Sequence, residues 1–293
     1  MAAILLREYK PNPALVKIAE QRSADVAKRS PEGLKLYALG SSICSLRARL
    51  AIEEKQLAYE EHTLDFSISE NLEPWYLDLN PRGVVPTIVE GGEALFDSYT
   101  IMLYVNNRFT GPELTPDGDA DYAAMIALMR EADHFPIRDF AYRWEKAKDE
   151  PDLWRICMFE RVKAFMEKYP DYAEIYEKKL KDYESMDAVS GEKASMKKLE
   201  RDMNATMDGL DQRLSEHEWL VGDAFSLADI AWLPVILRIQ IGVAIEIFSD
   251  SLRPNLKRFV EQCMARPSFN AAVLNRVNDL QPQMDRLKAE QVA

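Results

Sequence analysis

The segment with the most unusual chemistry is Asn80-Pro-Arg-Gly-Val-Val-Pro86, in which a proline stands at the start of a predicted strand. Proline has no N–H group and cannot donate a hydrogen bond to a neighbouring strand. It is therefore rare at such a position unless the strand is at an edge or the preceding bond is cis. We predict a cis Val85–Pro86 bond. Such a bond would turn the main-chain N–H and C=O of Val85 outward, where they could pair with an extended peptide.

A second candidate site follows at Asp97-Ser98, where a predicted hairpin runs into a predicted helix. The N–H groups of a first helical turn, together with a serine hydroxyl, form a site for an anion such as a carboxylate. Alone, this pair would be an ordinary helix cap. Its interpretation as a binding site depends on its closeness in sequence to Val85-Pro86.

Both segments fall in a block of short strands and helices. The predicted elements are a strand at 34–39, a helix at 44–57, strands at 59–64, 84–89 and 94–96, and a helix from 98 to about 109. The first strand–helix–strand unit predicts a right-handed crossover between parallel strands. In its helix, the periodicity places Leu46, Leu50 and Ala51 on one face and Arg47, Glu54 and Lys55 elsewhere.

The rest of the chain is predicted to be helical. Helical composition and periodicity mark residues 122–147, 153–168, 173–187 and 194–217, with a solvated helical hairpin around 168–198. Ser226-Leu-Ala-Asp229 has the pattern of a capping box, which is a folding feature, ahead of an apolar run expected to form a buried helix. We divide the chain into a weakly structured or helical N-terminal extension (1–33), an α/β domain (34–110) and an all-helical domain (117–280).

Composition argues against several classes of function. The 293 residues include 49 acidic and 37 basic side chains, for a net charge of -12, and phosphate binding needs a basic surface, so no nucleic-acid partner is expected. The spacing of three cysteines and three histidines predicts neither a disulfide framework nor a metal site. No apolar run fits a membrane helix or a signal peptide. We expect a cytoplasmic protein without metal or membrane partner.

Residues 34–275 resemble the glutathione transferases, in which a thioredoxin-like α/β domain precedes an all-helical domain. The resemblance rests on the order and spacing of the strand–serine–helix opening, Asn80-Pro81, Val85-Pro86, Asp97-Ser98 and the Ser226 capping box. It implies that glutathione is the co-substrate and that Val85, beside Pro86, pairs with its cysteinyl main chain. It also implies that Asp97 and Ser98 hold the γ-glutamyl carboxylate. Arg82 could reach the glycyl carboxylate.

Four groups near the first helix compete for the glutathione sulfur, namely Tyr37, Ser41, Cys44 and Ser45. Ser41 matches the Ser-x-x-Cys pattern of insect-type and theta-type members of the family, whereas Cys44-Ser45-Leu46 matches the Ala-Cys-Ser-Leu motif of beta-type members. A serine hydroxyl would stabilise the thiolate by donating a hydrogen bond. We favour Ser41 or Ser45 in that role, with Cys44 as a wall of the site and Tyr37 in the core. A Cys44 thiolate would instead form a mixed disulfide with glutathione.

The resemblance also implies a second substrate between the sulfur and the helical domain. Candidate lining side chains are His134, Phe135, Phe140, Tyr142 and Trp144, with Trp232 as a weaker candidate. Their character is compatible with an aromatic or a haloaliphatic substrate, and we expect a small electrophilic compound, in the first place an aromatic one. The expected reaction is attack of the glutathione thiolate on an electrophilic carbon, which breaks an aryl ether or a carbon–halogen bond. The alternatives are Cys44-dependent thiol transfer and a non-catalytic binding or assembly protein on the same fold.

Two-fold dimers are usual in that family, so a homodimer or a heterodimer with a related subunit is expected. The helix after Asp97 and the first helix of the second domain would form its interface. The apolar side chains available for it are Tyr99, Met102, Leu103 and Met125.

Overall fold

A computed structural model describes residues 12–22, 25–40, 42–137, 153–187, 193–242 and 247–276. The strands are β1 (Lys35–Ala38), β2 (Glu60–Thr63), β3 (Thr87–Glu90) and β4 (Glu93–Phe96). The helices are α1 (Pro13–Glu20), α2 (Ile43–Glu54), α3 (Pro74–Leu79), α4 (Ser98–Arg108), α5 (Asp119–His134), α6 (Leu153–Lys168), α7 (Ala173–Asp187), α8 (Lys193–Glu216), α9 (Leu227–Leu237), α10 (Pro254–Met264) and α11 (Pro267–Ala272). A small α/β unit therefore precedes an all-helical region, as predicted. Within the described ranges, no helix is long and apolar enough to cross a membrane.

The strands form one mixed sheet in the order β2-β1-β3-β4. The predicted parallel pairing of β1 with β2 is confirmed, with Tyr37 opposite His62. Strand β3 runs antiparallel to both of its neighbours, so that Thr87 pairs with Tyr37 on one side and with Phe96 on the other. The end of β1, the start of β3 and the end of β4 consequently meet at one end of the sheet.

The N-terminal extension contains a helix that is fastened to the α/β unit. Helix α1 packs against α4. The side-chain amide of Asn107 donates to the main-chain oxygens of Ile18, Ala19 and Gln21, at 3.3, 3.1 and 2.8 Å. Since these oxygens end α1, the asparagine supplies partners that the helix lacks by itself.

Helix α2 is buried on its charged side as well as on its apolar side. Leu50 and Ala51 are at most 1% exposed, but Arg47, Glu54 and Lys55 are also buried. The helical periodicity identified the apolar face correctly, but it gave no indication that the charged face also packs against another part of the chain. The helical region covers that second face.

Partners from the helical region and from strand β2 satisfy the buried charges of Glu54 and Arg49 in α2. Arg266 donates to both carboxylate oxygens of Glu54 at 2.6 Å, and the Ser268 hydroxyl donates to the same group. Arg49 is fully buried, and its guanidinium binds the Glu61 carboxylate. A charge is tolerated in the interior when it is paired and hydrogen-bonded in this way.

A second apolar cluster lies apart from the main core, where α6 and α7 contact the α/β unit. Its buried members are Leu72, Leu77, Val162, Ile175 and Tyr176. The helices predicted at 153–168 and 173–187 are confirmed at these bounds. The solvated hairpin predicted around 168–198 is wrong for the part that α7 forms, because Ile175 and Tyr176 of α7 are buried against the α/β unit.

The apolar side chains expected at a dimer interface are largely buried within the chain. Met102, Leu103 and Met125 are 1%, 4% and 0% exposed, and Tyr99 is half-buried. Helix α1 lies against α4 on this side of the molecule. The two methionines and the leucine are therefore not available to a partner subunit.

The predicted capping box at the start of α9 is confirmed. The Ser226 hydroxyl accepts a hydrogen bond from the N–H of Ala228 at 3.3 Å, and the Asp229 carboxylate accepts one from the N–H of Ser226 at 2.7 Å. Asp229 also accepts from the N–H of Leu220 at 2.9 Å. Helix α9 is the buried apolar helix that the sequence predicted, with Trp232 at its centre and 0% exposed.

This buried carboxylate should give the stability of the chain a distinctive pH dependence. Burial raises the pKa of Asp229 to about 6, because the loss of hydration outweighs its hydrogen bonds. An unfolded aspartate titrates near pH ~3.9, so in the window between these values the folded chain keeps a proton that the unfolded chain has lost. The contribution of Asp229 to the free energy of unfolding therefore falls as the pH rises through this window.

We expect the advantage of the wild type over Asp229→Asn in free energy of unfolding to depend on pH. This advantage should be about 1.4 kcal/mol larger at pH 5 than at pH 7.5. Urea unfolding at the two pH values measures this difference. The asparagine does not titrate, so a pH-dependent difference reports the carboxyl. An unchanged difference would contradict the raised pKa.

Candidate active site

Three polar segments meet at one end of the sheet. Because Thr87 at the start of β3 pairs with Tyr37 near the end of β1, the loop that contains Val85-Pro86 lies beside the turn that follows β1. Because Phe96 at the end of β4 pairs with the same Thr87, Asp97-Ser98 lies at this end as well. The topology of one small sheet thus brings together segments that the sequence keeps far apart.

The turn between β1 and α2 ends in a helix cap that carries polar groups. Ser42 is the N-cap, and its hydroxyl accepts a hydrogen bond from the N–H of Ser45 at 3.4 Å. Ile43 and Cys44 occupy the first two helical positions, where N–H groups have no partner within a helix. Cys44 is half-buried with a free thiol, and Ser41 lies outside the described residues. These N–H groups and the Ser42 hydroxyl can stabilise an anion.

Ser45 has a structural role in this turn. Its side chain is 0% exposed, and its hydroxyl accepts a hydrogen bond from the N–H of Leu39 at 3.1 Å. The bond links the end of the β1 segment to the first turn of α2. A hydroxyl enclosed in this way is not accessible to a ligand, so Ser45 does not fit the role of donor to the glutathione sulfur.

Tyr37 belongs to an aromatic cluster and not to the core. It is half-buried, and its ring centroid lies 5.8 Å from those of His62 and Trp75 and 5.9 Å from that of Tyr76. Trp75 is 41% exposed. The cluster therefore packs α3 onto the sheet and leaves one edge in contact with solvent.

The loop before β3 has the predicted cis Val85–Pro86 bond. Tyr76 and Asn80 hold the loop by donating to the main-chain oxygen of Val84, at 2.6 and 2.7 Å. Burial raises the pKa of Tyr76, which keeps its hydroxyl protonated as a donor. Val85 itself is half-buried, and its main chain forms no hydrogen bond with the residues that the structure describes. The loop therefore presents an ordered main chain with open pairing groups.

Close packing against Gly83 fixes the other half of this loop. Its φ is +56°, and a Cβ atom there would lie 2.7 Å from the side chain of Leu72, so only glycine fits. The side-chain amide of Asn71 donates to the Gly83 oxygen at 2.8 Å. The neighbouring candidate, Arg82, is exposed, and its main-chain N–H donates to the side-chain oxygen of Asn80 at 3.1 Å.

Asp97 is the N-cap of α4 and has an unusual backbone conformation. Its Oδ1 accepts hydrogen bonds from the N–H and the hydroxyl of Thr100, at 3.0 and 2.9 Å. Its φ is +84°, which non-glycine residues rarely adopt outside functional or tightly constrained sites. Ser98, at the first position of the helix, is 3% exposed. The carboxylate and the first-turn N–H groups of α4 thus stand at the same end of the sheet as Val85.

Two of the side chains predicted to line a second-substrate pocket lie at the end of α5. The weaker candidate, Trp232, is fully buried, so the prediction that it lines a pocket is wrong. His134 is exposed, with its Nδ1 atom 2.8 Å from the main-chain oxygen of Arg130. Phe135 is half-buried, and its ring centroid lies 5.7 Å from that of Trp232. The remaining candidates, Phe140, Tyr142 and Trp144, lie outside the described residues.

Arg47 ties the helix that carries Cys44 to this aromatic pair. Its guanidinium donates to the main-chain oxygen of Ala132 at 2.8 Å and to that of Ala231 at 3.0 Å. These oxygens precede Phe135 and Trp232 closely in the sequence. The buried arginine therefore fixes the aromatic pair next to α2.

Comparisons with known proteins identify the family. Residues 41–108 match the glutathione S-transferase N-terminal domain, and residues 172–267 match the C-terminal domain. The chain is 30% identical over 240 residues to tetrachloro-p-hydroquinone reductive dehalogenase of Sphingobium chlorophenolicum. The matched region covers 82% of this chain and 95% of the relative. The chain belongs to the glutathione S-transferase family. Glutathione is the co-substrate of these transferases.

Solved structures share the transferase fold. The β-etherase LigF from Sphingobium sp. strain SYK-6 has a TM-score of 0.63 at 21% identity, covering 82% of this chain and 98% of that one. Maleylacetoacetate isomerase from Methylobacterium extorquens AM1, with bound malonate and glutathione, has a TM-score of 0.54 at 23% identity, covering 83% and 97%. At these identities the likeness concerns the fold.

Sequence reasoning missed Ser42 and Tyr76, two groups that shape the candidate site. Ser42 was overlooked because the helix was predicted to begin at Cys44, and it begins one residue earlier. The preference of serine for N-cap positions is the signal that could have found it. Tyr76 lies in a short helix without a periodic pattern, and no local signal marks its bond to Val84.

Proposed function

We propose that this transferase activates glutathione at the start of α2 and transfers its sulfur to an electrophilic carbon. One observation carries the proposal, namely that the α2 cap, the Val85 loop and Asp97-Ser98 meet at one end of the sheet. A tripeptide thiol needs a strand-like partner, a charged terminus site and a sulfur site close together. This end of the sheet offers all of these.

Each part of glutathione has a complement in the proposed site. The open main chain of Val85 supports pairing with the cysteinyl residue, as a strand edge pairs with an extended peptide. The start of α4 with Ser98 supports binding of the γ-glutamyl carboxylate. Asp97, whose Oδ1 is occupied by Thr100, keeps Oδ2 for the adjacent amino group. Exposed Arg82 supports binding of the glycyl carboxylate.

The proposed reaction is a substitution at carbon. The thiol gives its proton to solvent, the sulfur forms a bond to carbon, and the leaving group departs with its bonding electrons. The N–H groups of Ile43 and Cys44 stabilise the thiolate at the positive end of α2. The hydroxyl of Ser42 or of Ser41 does so by donating a hydrogen bond without losing its proton.

A halogenated aromatic compound is the proposed substrate class. The name of the Sphingobium relative, a reductive dehalogenase of a tetrachlorinated hydroquinone, supports it. The half-buried ring of Phe135 supports the same class, because aromatic side chains favour aromatic ligands. Trp232 packs against that ring but is fully buried, so it does not face a ligand. An aryl ether, cleaved at its ether carbon, is the alternative substrate.

Disulfide exchange through Cys44 is the second candidate function. The observation that favours it is a free, half-buried thiol in the first turn of α2, next to a serine that is fully enclosed. The Cys44 thiolate would attack a glutathionylated substrate, form a mixed disulfide with glutathione and release the substrate thiol. A second glutathione thiolate would then release glutathione disulfide and restore Cys44.

Retention on immobilised glutathione, followed by titration calorimetry, tests the proposal. We expect the purified chain to bind reduced glutathione and to release halide from chlorinated hydroquinones with formation of a thioether. An assay with a glutathionylated disulfide separates exchange from substitution, because only exchange produces glutathione disulfide there. A chain that neither binds glutathione nor acts on either substrate would contradict both candidates and favour a binding or assembly protein.

A further inference from the structure

The pair of helices α6 and α7, with the turn Pro170–Tyr172 between them, contributes no residue to the proposed glutathione site. We call this unit the helical hairpin and residues 69–80 the bracing segment. Tyrosine hydroxyls fasten one to the other. Tyr176 donates to the main-chain oxygen of Leu72 at 2.8 Å, Tyr169 to the Glu73 carboxylate at 2.8 Å and Tyr172 to the Asp78 carboxylate at 2.7 Å.

Apolar contacts join the same two parts. Leu72 and Leu77 of the bracing segment are 0% exposed and form one cluster with side chains of the helical hairpin. The cluster is separate from the main core. The burial of these two leucines therefore depends on the hairpin.

The bracing segment also holds the loop that ends in Val85. Asn71, Tyr76 and Asn80 donate to main-chain oxygens of this loop, at 2.8, 2.6 and 2.7 Å. The side chains of Leu72 and Leu77 come so close to Gly83 that a Cβ atom there would lie 2.7 and 3.3 Å from them. Leu72 thus contacts the hairpin cluster and the loop at the same time.

We propose that the helical hairpin is a positioning element for glutathione binding, and that Tyr176 is its main positioning residue. By holding the bracing segment, the hairpin keeps the main chain of Val85 in the conformation that pairs with the tripeptide. This inference rests on the proposed function. Tyr176 is singled out because its side chain and its bond to Leu72 are buried, whereas the bond between Tyr172 and Asp78 is exposed.

Tyr176→Phe tests the inference, since it removes the buried hydrogen bond and leaves the ring in the cluster. We expect the Kd for reduced glutathione to rise about threefold to tenfold, the effect of one buried hydrogen bond. Hydrogen exchange at the amides of residues 82–88, measured without glutathione, should become faster. The kcat at saturating glutathione should stay unchanged, because the sulfur site is not altered.

Tyr183→Phe is the matched control. Tyr183 also lies in α7 and packs against the same cluster, but its hydroxyl makes no hydrogen bond among the described residues. Its Kd and exchange rates should equal those of the wild type. An unchanged Tyr176→Phe variant, or an equal effect in Tyr183→Phe, would overturn the inference. If the wild type does not bind glutathione, the proposed function fails, and the exchange rates alone decide the positioning role.

Discussion

A Cys44→Ser variant should lose disulfide exchange with glutathionylated substrates by about a hundredfold or more, because a serine hydroxyl cannot form the mixed disulfide. Cys263 cannot replace it. Its side chain is 1% exposed, and burial raises the pKa of its thiol well above the ordinary value. Production of glutathione disulfide measures the loss. Cys157→Ala and Cys263→Ala are the matched controls and should keep the exchange.

The same Cys44→Ser variant should keep most of its activity toward an electrophilic carbon. Substitution at carbon depends on the thiolate of glutathione and on the groups that stabilise it. Ser42→Ala and Ser41→Ala remove candidate hydroxyl donors. A charge-assisted hydrogen bond contributes about 1.5–3 kcal/mol, so the responsible variant should slow the chemical step about tenfold to a hundredfold.

The pKa of bound glutathione provides an independent readout of this role. Loss of the hydroxyl donor should raise it by about one to two units, which the ultraviolet absorbance of the thiolate reports as a function of pH. Ser42→Thr keeps both the cap and the hydroxyl and should restore activity. Ser45→Ala should lower stability without this shift, because it removes the partner of the Leu39 N–H group. If Ser41→Ala and Ser42→Ala both keep full activity while Cys44→Ser is inactive, the substitution mechanism is wrong and disulfide exchange through Cys44 takes its place.

The sequence predicted well the features that depend on local pattern. The helices at 153–168 and 173–187 have strong helical composition, and their bounds agree with the structure. The parallel pairing of β1 and β2 followed from the strand–helix–strand order, because a helical crossover normally joins parallel strands. The cis bond at Pro86 followed from the absence of an N–H group on proline.

Features that depend on distant partners could not be predicted. Arg47 and Glu54 look like surface charges of an amphipathic helix, and only the folded chain brings Ala132, Ala231 and Arg266 against them. In the sequence, Ser45 is a plausible hydrogen-bond donor to the glutathione sulfur. Only the structure shows that its hydroxyl is buried and bonded to the N–H of Leu39. The position of α1 against α4 likewise depends on tertiary packing, which a hydrophobic pattern does not specify.

Arg49→Met should cause one of the largest losses of stability among single substitutions in this chain. Arg49 is 0% exposed, and its guanidinium lies 2.7 and 3.0 Å from the two oxygens of the Glu61 carboxylate, which is itself 5% exposed. It also donates to the main-chain oxygens of Gly40 and Ala272, at 3.4 and 3.3 Å. The methionine fills a similar volume but leaves a buried carboxylate with reduced pairing.

We expect Arg49→Met to lower the free energy of unfolding by about 3–5 kcal/mol, the usual cost of leaving one partner of a buried ion pair. Arg276, whose guanidinium lies 3.1 Å from Glu61, reduces this loss but does not remove it. Urea unfolding measures the change. Lys163→Met, which breaks the exposed pair with Glu160, is the matched control and should cost only about 0–1 kcal/mol.

The double variant Arg49→Met/Glu61→Leu separates the pair from its surroundings. Removing both charges eliminates the unpaired carboxylate, so the double variant should be more stable than Arg49→Met alone, although it lacks more of the native contacts. If the losses in free energy of unfolding from the two single substitutions simply add in the double variant, the stabilising role of Arg49 lies in its bonds to Gly40 and Ala272. Since Gly40 belongs to the turn before α2, that outcome would also predict slower thiolate chemistry in Arg49→Met under conditions where the variant is fully folded.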